Sequence, residues 1–414
     1  MSLMRHITAV AVLAALAACT AAVPPEVDQS ATRYAALRDA CLRTSPIDRA
    51  DAAEQKARIA ACSGVVSSDK TSPLDVIAAL KMRAGLYALA GNYAEVAKDY
   101  AEVVRLNPRD APALKVLGDA YRRLGRCALA TASHDRAIRL NPKFAAAFES
   151  RADAALCLKD TSHAIEDLNQ AIQLEPRSPD LYTKRGALHL QLGEETAAID
   201  DFSQALLLRP RDVAALLGRG DAYFKLARYA EALTDFDSAV RLAPHNRDAL
   251  YRRAQGRFQQ QDYDAAIQDF NQAIQLSPRV ADAFDRRGTT YARIGDYSKA
   301  IADFDQAIRL NPNYAEAFYH RGNIYSQQGY YQLAIDDYAQ TIKLDPRFVA
   351  AVTNRGHAYM SHGDYDLAVE DFDRAITLDP DNAQAMQGRL QARLEKVKQS
   401  SAKGIAIDPG ARSQ

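Results

Sequence analysis

The chain has no tryptophan and no net charge: 52 basic residues balance 52 acidic ones. A nucleic-acid partner calls for a net basic face, so the balance argues against one. The missing tryptophan counts against a carbohydrate receptor. Catalytic signatures are missing as well. The glycines are single and dispersed, so no phosphate-cradling loop forms, and no Gly-x-Ser-x-Gly, His-Glu-x-x-His or Cys-x-x-Cys occurs. The eight histidines scatter; His320 and His357 could face each other across neighbouring segments, but with no carboxylate or third ligand near them by phase. The sequence therefore predicts no catalytic residue, no metal and no cofactor.

The N-terminal apolar run, Ile7 to Ala17, is too short to span a bilayer. It follows Arg5 and His6 and ends in small residues, the pattern of a secretory signal over residues 1–18. The stretch Leu16-Ala17-Ala18-Cys19 resembles the bacterial lipobox, in which cleavage precedes a cysteine that then carries lipid. Thr20, where an Asp would retain a Gram-negative lipoprotein at the inner membrane, implies sorting to the outer membrane, facing the periplasm. The competing outcome is ordinary cleavage after Ala17 or near Ala22, which releases a soluble periplasmic protein. Residues 19–29, with Pro24 and Pro25, read as a tether.

If Cys19 carries lipid, four cysteines remain, an even number free to pair in an oxidising compartment. Cys41 and Cys62 flank a turn near Ser45-Pro46. Cys127 sits at a turn between helices, and Cys157 near the end of the next repeat's first helix. The pairings Cys41–Cys62 and Cys127–Cys157 fit these positions, each contributing about 3 kcal/mol by loop closure. The alternative is four buried thiols.

What the chain has in abundance is a period. Pro108, Pro142, Pro176, Pro210, Pro244, Pro278, Pro312, Pro346 and Pro380 follow one another at steps of 34 residues without slip. A fixed period of this size marks a stacked array, each unit burying its apolar face on its neighbours. With Ile77 as place 1, nine units fill residues 77–382 and the prolines fall at place 32. Place 8 is always Gly or Ala, and place 20 is Ala in all units but the first, which has Val96. These are points where two helices cross closely. Place 24 is aromatic in seven units, from Tyr100 to Phe372. Gly-Asp-Tyr turns such as Gly295-Asp296-Tyr297 end the first helix, and the proline closes the second. Place 7 is Arg and place 23 Asp except in repeat two, where Leu117 and Ser133 stand. Their joint absence predicts that the two form one ion pair. A Tyr stripe (Tyr223, Tyr291, Tyr325, Tyr359) recurs at an internal place and reads as packing.

This pattern resembles the tetratricopeptide repeat. The resemblance implies an all-α fold, a right-handed superhelical solenoid of antiparallel helix pairs. It also implies that first helices line a groove that binds extended peptides or helices. Carried over by phase, the groove candidates are Tyr251, Arg252, Gln255, Phe258, Asp285, Arg286, Thr289, Arg293, Tyr319, His320, Asn323 and Gln327. The Lys/Asn/Arg carboxylate clamp of some chaperone adaptors is not matched. Residues 30–76 read as a degenerate helical hairpin, 383–398 as a capping helix with a charged outer face, and 399–414 as a disordered tail.

The functional expectation is a non-catalytic, exported scaffold lipoprotein binding protein or peptide partners during assembly of an envelope complex: a pilus, a secretion channel, polysaccharide export or a protease adaptor. Its alternatives are a soluble periplasmic regulatory subunit of an enzyme and a carbohydrate-binding receptor. Partner and oligomeric state are not written in the sequence. Labelled fatty acid should enter the wild type and not Cys19→Ala; equal labelling of both would remove the lipid anchor.

Overall fold

The computed structural model describes residues 29–43, 51–69 and 71–405. The expected signal, most of the tether and residues 406–414 lie outside the described residues. All 21 elements described are helices, in two compact units that part between Arg177 and Ser178. The first unit holds α1 (Gln29–Cys41), α2 (Ala52–Val66), α3 (Pro73–Leu89), α4 (Tyr93–Leu106), α5 (Ala111–Arg123), α6 (Cys127–Leu140), α7 (Ala145–Cys157) and α8 (Thr161–Leu174). The second opens with α9 (Pro179–Leu192), α10 (Glu195–Leu208), α11 (Val213–Lys225), α12 (Tyr229–Leu242), α13 (Arg247–Gln259) and α14 (Tyr263–Leu276). It continues with α15 (Ala281–Arg293), α16 (Tyr297–Leu310), α17 (Ala315–Gln327), α18 (Tyr331–Leu344), α19 (Val349–His362), α20 (Tyr365–Leu378) and α21 (Ala383–Ile405).

Local chemistry sets the helix ends. Each first helix closes with a backbone N–H at place 16 bonding the carbonyl at place 11, as in Asn92 to Tyr87 at 2.9 Å and Asp364 to Tyr359 at 2.9 Å. This bond requires a left-handed residue at place 15. Gly serves in six repeats, whereas Lys159, Ala227 and Gln261 adopt φ of 63°, 57° and 64°. Asn92, Asp160, Asp262 and Asp296 then cap the second helix by accepting a main-chain N–H. At the far end the residue before each place-32 proline leaves the helical region, as at Asn311 (φ −139°, ψ 93°), because the proline ring disfavours helical backbone just ahead of it.

The core is built at the helix crossings. The place-20 alanines are fully buried, and the Phe202, Phe236, Phe270, Phe304 and Phe372 rings fill place 24 at no more than 2% exposure. A Cβ on Gly288 would lie 2.9 Å from the Phe304 ring, so place 8 stays small because place 24 is large.

The arginine–aspartate pair is present in eight repeats. Each Arg at place 7 grips the Asp at place 23 through Nε and Nη2, at 2.5–2.9 Å. The carboxylates are at most 6% exposed. In five of these repeats Nη1 also reaches place 25 of the preceding repeat: Arg151 to Asp135, Arg219 to Ser203, Arg253 to Asp237, Arg287 to Asn271 and Arg321 to Asp305. One guanidinium thus joins the two helices of its own repeat and the second helix of the one before. The Tyr stripe belongs to the same assembly: Arg321 lies 5.9 Å from the Tyr325 ring centroid and Arg355 5.7 Å from that of Tyr359.

Repeat two lacks this clamp, and Ser133 instead bonds the Leu129 carbonyl on its own helix. Two disulfides are formed, Cys41–Cys62 and Cys127–Cys157, with Cα–Cα distances of 4.7 and 6.0 Å. The second ties α6 to α7, joining repeats two and three beside the missing clamp. At place 24 of repeat two stands His134, fully buried, its ring nitrogens without a hydrogen-bond partner and Asp119 Oδ1 3.6 Å from Nε2.

Two boundaries and one helix face differ from expectation. Helix α3 begins at Pro73, inside the segment assigned to the hairpin, because Ser72 caps it by accepting Asp75 N–H and a proline fits its first turn. Helix α21 runs to Ile405, into the expected disordered tail. Lys396 pairs with Asp366, Lys398 with Glu395, and the Ser400 and Ser401 hydroxyls bond carbonyls one turn back. Its outer face is not simply charged either: Met386, Leu390, Leu394 and Val397 are 42–64% exposed. No helix among the described residues is long and apolar enough to cross a membrane.

Two predictions follow from these contacts. Arg219→Ala leaves Asp235 buried without its partner and is expected to destabilise by about 3 kcal/mol. Arg219→Leu with Asp235→Ser, the repeat-two combination, should cost less; thermal unfolding of both variants compares them, and equal losses would exclude the ion pair as the cause. Burial lowers the His134 pKa to about 4, against the pull of Asp119 and aided by Lys115, Arg122 and Arg151. Between that value and the ordinary 6.5 the unfolded chain binds the extra proton. Its contribution is therefore complete above pH 6.5 and is lost as pH falls towards 4, by about 3 kcal/mol. His134→Phe should flatten that part of the stability–pH curve.

Candidate partner-binding site

In the second unit consecutive first helices touch one another: α11 with α13, α13 with α15, α15 with α17, and α17 with α19. They form an inner layer, and the groove candidates lie on it. Repeats differ most in the side chains these helices present.

Many candidates engage one another instead of standing free. Tyr251 OH donates to the Asp282 carboxylate, which also accepts from Tyr314 OH at 3.1 Å, and Gln255 Nε2 donates to Tyr251 OH at 3.2 Å. Burial, then Asp282, raises the Tyr251 phenol above its ordinary range; burial does the same for Tyr314. Arg252 Nε lies 3.0 Å from Asp221 Oδ1. Burial pushes the Asp221 carboxyl up to about 6, although Arg252 and Lys225 pull the other way. Asp285, 1% exposed, takes a hydrogen bond from His320 Nδ1 at 2.8 Å. Asn354 Nδ2 donates to Asn323 Oδ1 at 2.9 Å and to Tyr319 OH at 3.3 Å, while Tyr338 OH donates to the same Asn323 oxygen at 2.8 Å. Gln327 Nε2 bonds Tyr297 OH at 2.6 Å. Contrary to the expectation from phase, His320 has a carboxylate neighbour, Asp285 on the preceding first helix, whereas the His357 ring packs 4.9 Å from that of Phe372. Among the described residues no three His, Cys, Asp or Glu side chains are placed to hold a metal ion.

Asp221, Asp282, Tyr314 and Asn354 were missed by phase reasoning. Tyr314, just ahead of α17, reaches Asp282 at a separation of 32, while the contacts of Asp221, Asp282 and Asn354 across neighbouring first helices have separations of 31 or 35. The two values differ by four, one helical turn, so both place a pair on one face. Complementary polar residues at those separations are the signal that would have found them.

What stays open is narrower than the candidate set. Arg286 is 51% exposed, with an ion pair of 3.6 Å to Asp282, and Arg293 is exposed at the end of α15. Beside Arg286 a cavity of about 160 Å³ opens, lined by Phe224, Gln255, Phe258, Gln259, Phe270, Arg286 and Thr289. Four of these residues are sequence candidates. A shallower recess of about 400 Å³ adjoins it, between α9 and α11, near Gln191, Asp221 and Lys225.

Comparison with known proteins matches this architecture. One tetratricopeptide-repeat model matches residues 81–143, 183–246 and 217–281, a second matches 315–348 and 349–382, and a TPR-repeat model matches 158–193 and 288–329. No curated protein sequence matches the chain. Among solved structures, a tetratricopeptide repeat protein from Parabacteroides merdae ATCC 43184 is similar at 20% identity and a TM-score of 0.50, over 59% of this chain and 97% of that one. YrrB, described as a TPR protein with an unusual peptide-binding site, is 23% identical over 45% of this chain and 97% of its own, with a TM-score of 0.38. MamA from Desulfovibrio magneticus RS-1 is 21% identical over 41% of this chain and 96% of its own, with a TM-score of 0.40. The repeat models span most of both units, and the chain belongs to the tetratricopeptide repeat family.

Proposed function

We propose that the chain is a non-catalytic scaffold holding a protein or peptide partner on the inner helices of repeats five to eight. The observation that carries this reading is the cavity between α13 and α15, open beside the exposed Arg286 on a layer whose other polar groups are largely engaged. Aromatic and Arg side chains around a recess are the usual anchors of protein interfaces. Exported, lipid-anchored placement at the periplasmic face of the outer membrane, and a part in assembling an envelope complex, complete the proposal. Supporting it are the lipobox-like Leu16-Ala17-Ala18-Cys19 and two disulfides, which form and persist in oxidising compartments. A rigid array of this kind works by raising the effective concentration of what it holds.

Photo-crosslinking probes placed in cells at Arg286 and Arg293 should capture the same partner, and a probe at the exposed Asp336 of α18 should not. Equal capture from Asp336 would overturn the inner-face reading.

A further inference from the structure

The recess beside Arg286 has a composition that no other repeat junction reproduces. Phe224 and Phe258 both occupy place 12, where the other repeats carry Ala88, Arg122, Leu156, Leu190, Ala292, Ser326 and Met360. Consecutive phenylalanines at that place, with Phe270 from α14 behind them, give the cavity an apolar wall. Its volume of about 160 Å³ is that of a space which takes a benzene-sized ring. A Leu or Phe side chain fits it.

Arg286 is the one charged side chain among the residues that line the recess. The acids around it are committed: Asp221 to Arg252, Asp282 to the Tyr251 and Tyr314 hydroxyls, and Asp285 to His320. Arg286 is half-exposed; it interacts with the Tyr251 hydroxyl and lies 3.6 Å from Asp282 of its own helix. Thr289, one turn along α15, lies in the same wall, and its Oγ1 is buried without a hydrogen-bond partner. A buried hydroxyl left unpaired is costly, and an occupant's main-chain carbonyl would satisfy it.

Resting on the partner-binding reading above, we propose that this cavity receives one Leu- to Phe-sized side chain of an extended peptide that carries an Asp or Glu next to that anchor. The apolar side chain enters between Phe224 and Phe258 with Phe270 at its tip. Arg286 takes the neighbouring carboxylate, and the Thr289 hydroxyl donates to the peptide backbone between them. The specificity is for an apolar–acidic pair, not for a free chain end.

The test uses random dodecapeptides displayed on phage, selected against the full chain. Peptides enriched in Leu, Ile or Phe followed or preceded within about two residues by Asp or Glu are expected. For a synthetic peptide from that set, Arg286→Glu should weaken binding roughly tenfold at low salt. Thr289→Leu, which fills the cavity, should weaken it at least as much. Both variants should keep the wild-type melting temperature to within a few degrees; if Thr289→Leu does not, Arg286→Glu alone carries the comparison. Reselection on Arg286→Glu should exchange the acid for Lys or Arg and keep the apolar anchor. Selected peptides without the apolar–acidic pair, binding indifferent to Arg286→Glu, or no selected peptide at all would each overturn the proposal. Peptides lost on Arg293→Glu but not on Arg286→Glu would overturn it while leaving the inner-face reading intact, since that reading fails only in the crosslinking comparison with Asp336.

Discussion

The guanidinium at place 7 is the contact on which the rest of the array depends. A repeat of two short helices buries too little apolar surface to stand alone, so its stability is shared with its neighbours. The arginine makes that sharing directional. Two of its nitrogens fix the second helix of its own repeat, and the third reaches back to the repeat before, as Arg253 does between Asp269 and Asp237. A planar fork with fixed donor directions suits this double task, and a lysine would not reproduce it. Because the carboxylate is buried and the arginine is packed on rings, the pair sets the rotation of each helix about its axis. That rotation in turn decides which side chains reach the inner layer.

The two ends of the repeat were legible in the sequence for a simple reason: backbone constraints have few chemical solutions. Proline at place 32, glycine at place 15 and small residues at place 8 each answer a steric demand that recurs every 34 residues, and recurrence separates demand from accident. The ion pair was legible because Leu117 and Ser133 replace both members together. The inner-face network was not, since its residues differ from repeat to repeat and pair across helices at 31 or 35 residues, out of step with the period. Helix α21 escaped for another reason. Its continuation to Ile405 rests on side-chain pairs such as Lys396–Asp366, which no local propensity announces.

The network changes what the inner face can offer. An unpaired set of polar side chains would adapt to many partners and lose conformational freedom with each. Here Asp285–His320 and Asn354–Asn323–Tyr338 hold one another before any partner arrives, so little ordering remains to oppose binding at those places. Selectivity is thereby concentrated where side chains remain exposed, at Arg286, Arg293 and the recess between α13 and α15.

The left-handed residues at place 15 tie that recess to the turns that end its helices. Ala227 and Gln261 hold positive φ without being glycine, at a cost of about 1–2 kcal/mol each. Each lies three residues beyond one of the phenylalanines of the wall, and its main-chain N–H bonds that phenylalanine's carbonyl, Phe224 and Phe258 respectively. That backbone cost falls in the turns that anchor the two aromatic walls, whereas the turns at Gly193, Gly295, Gly329 and Gly363 meet the same demand with glycine. A glycine at either position would take the same φ without the Cβ penalty and leave the side chains of the wall unchanged.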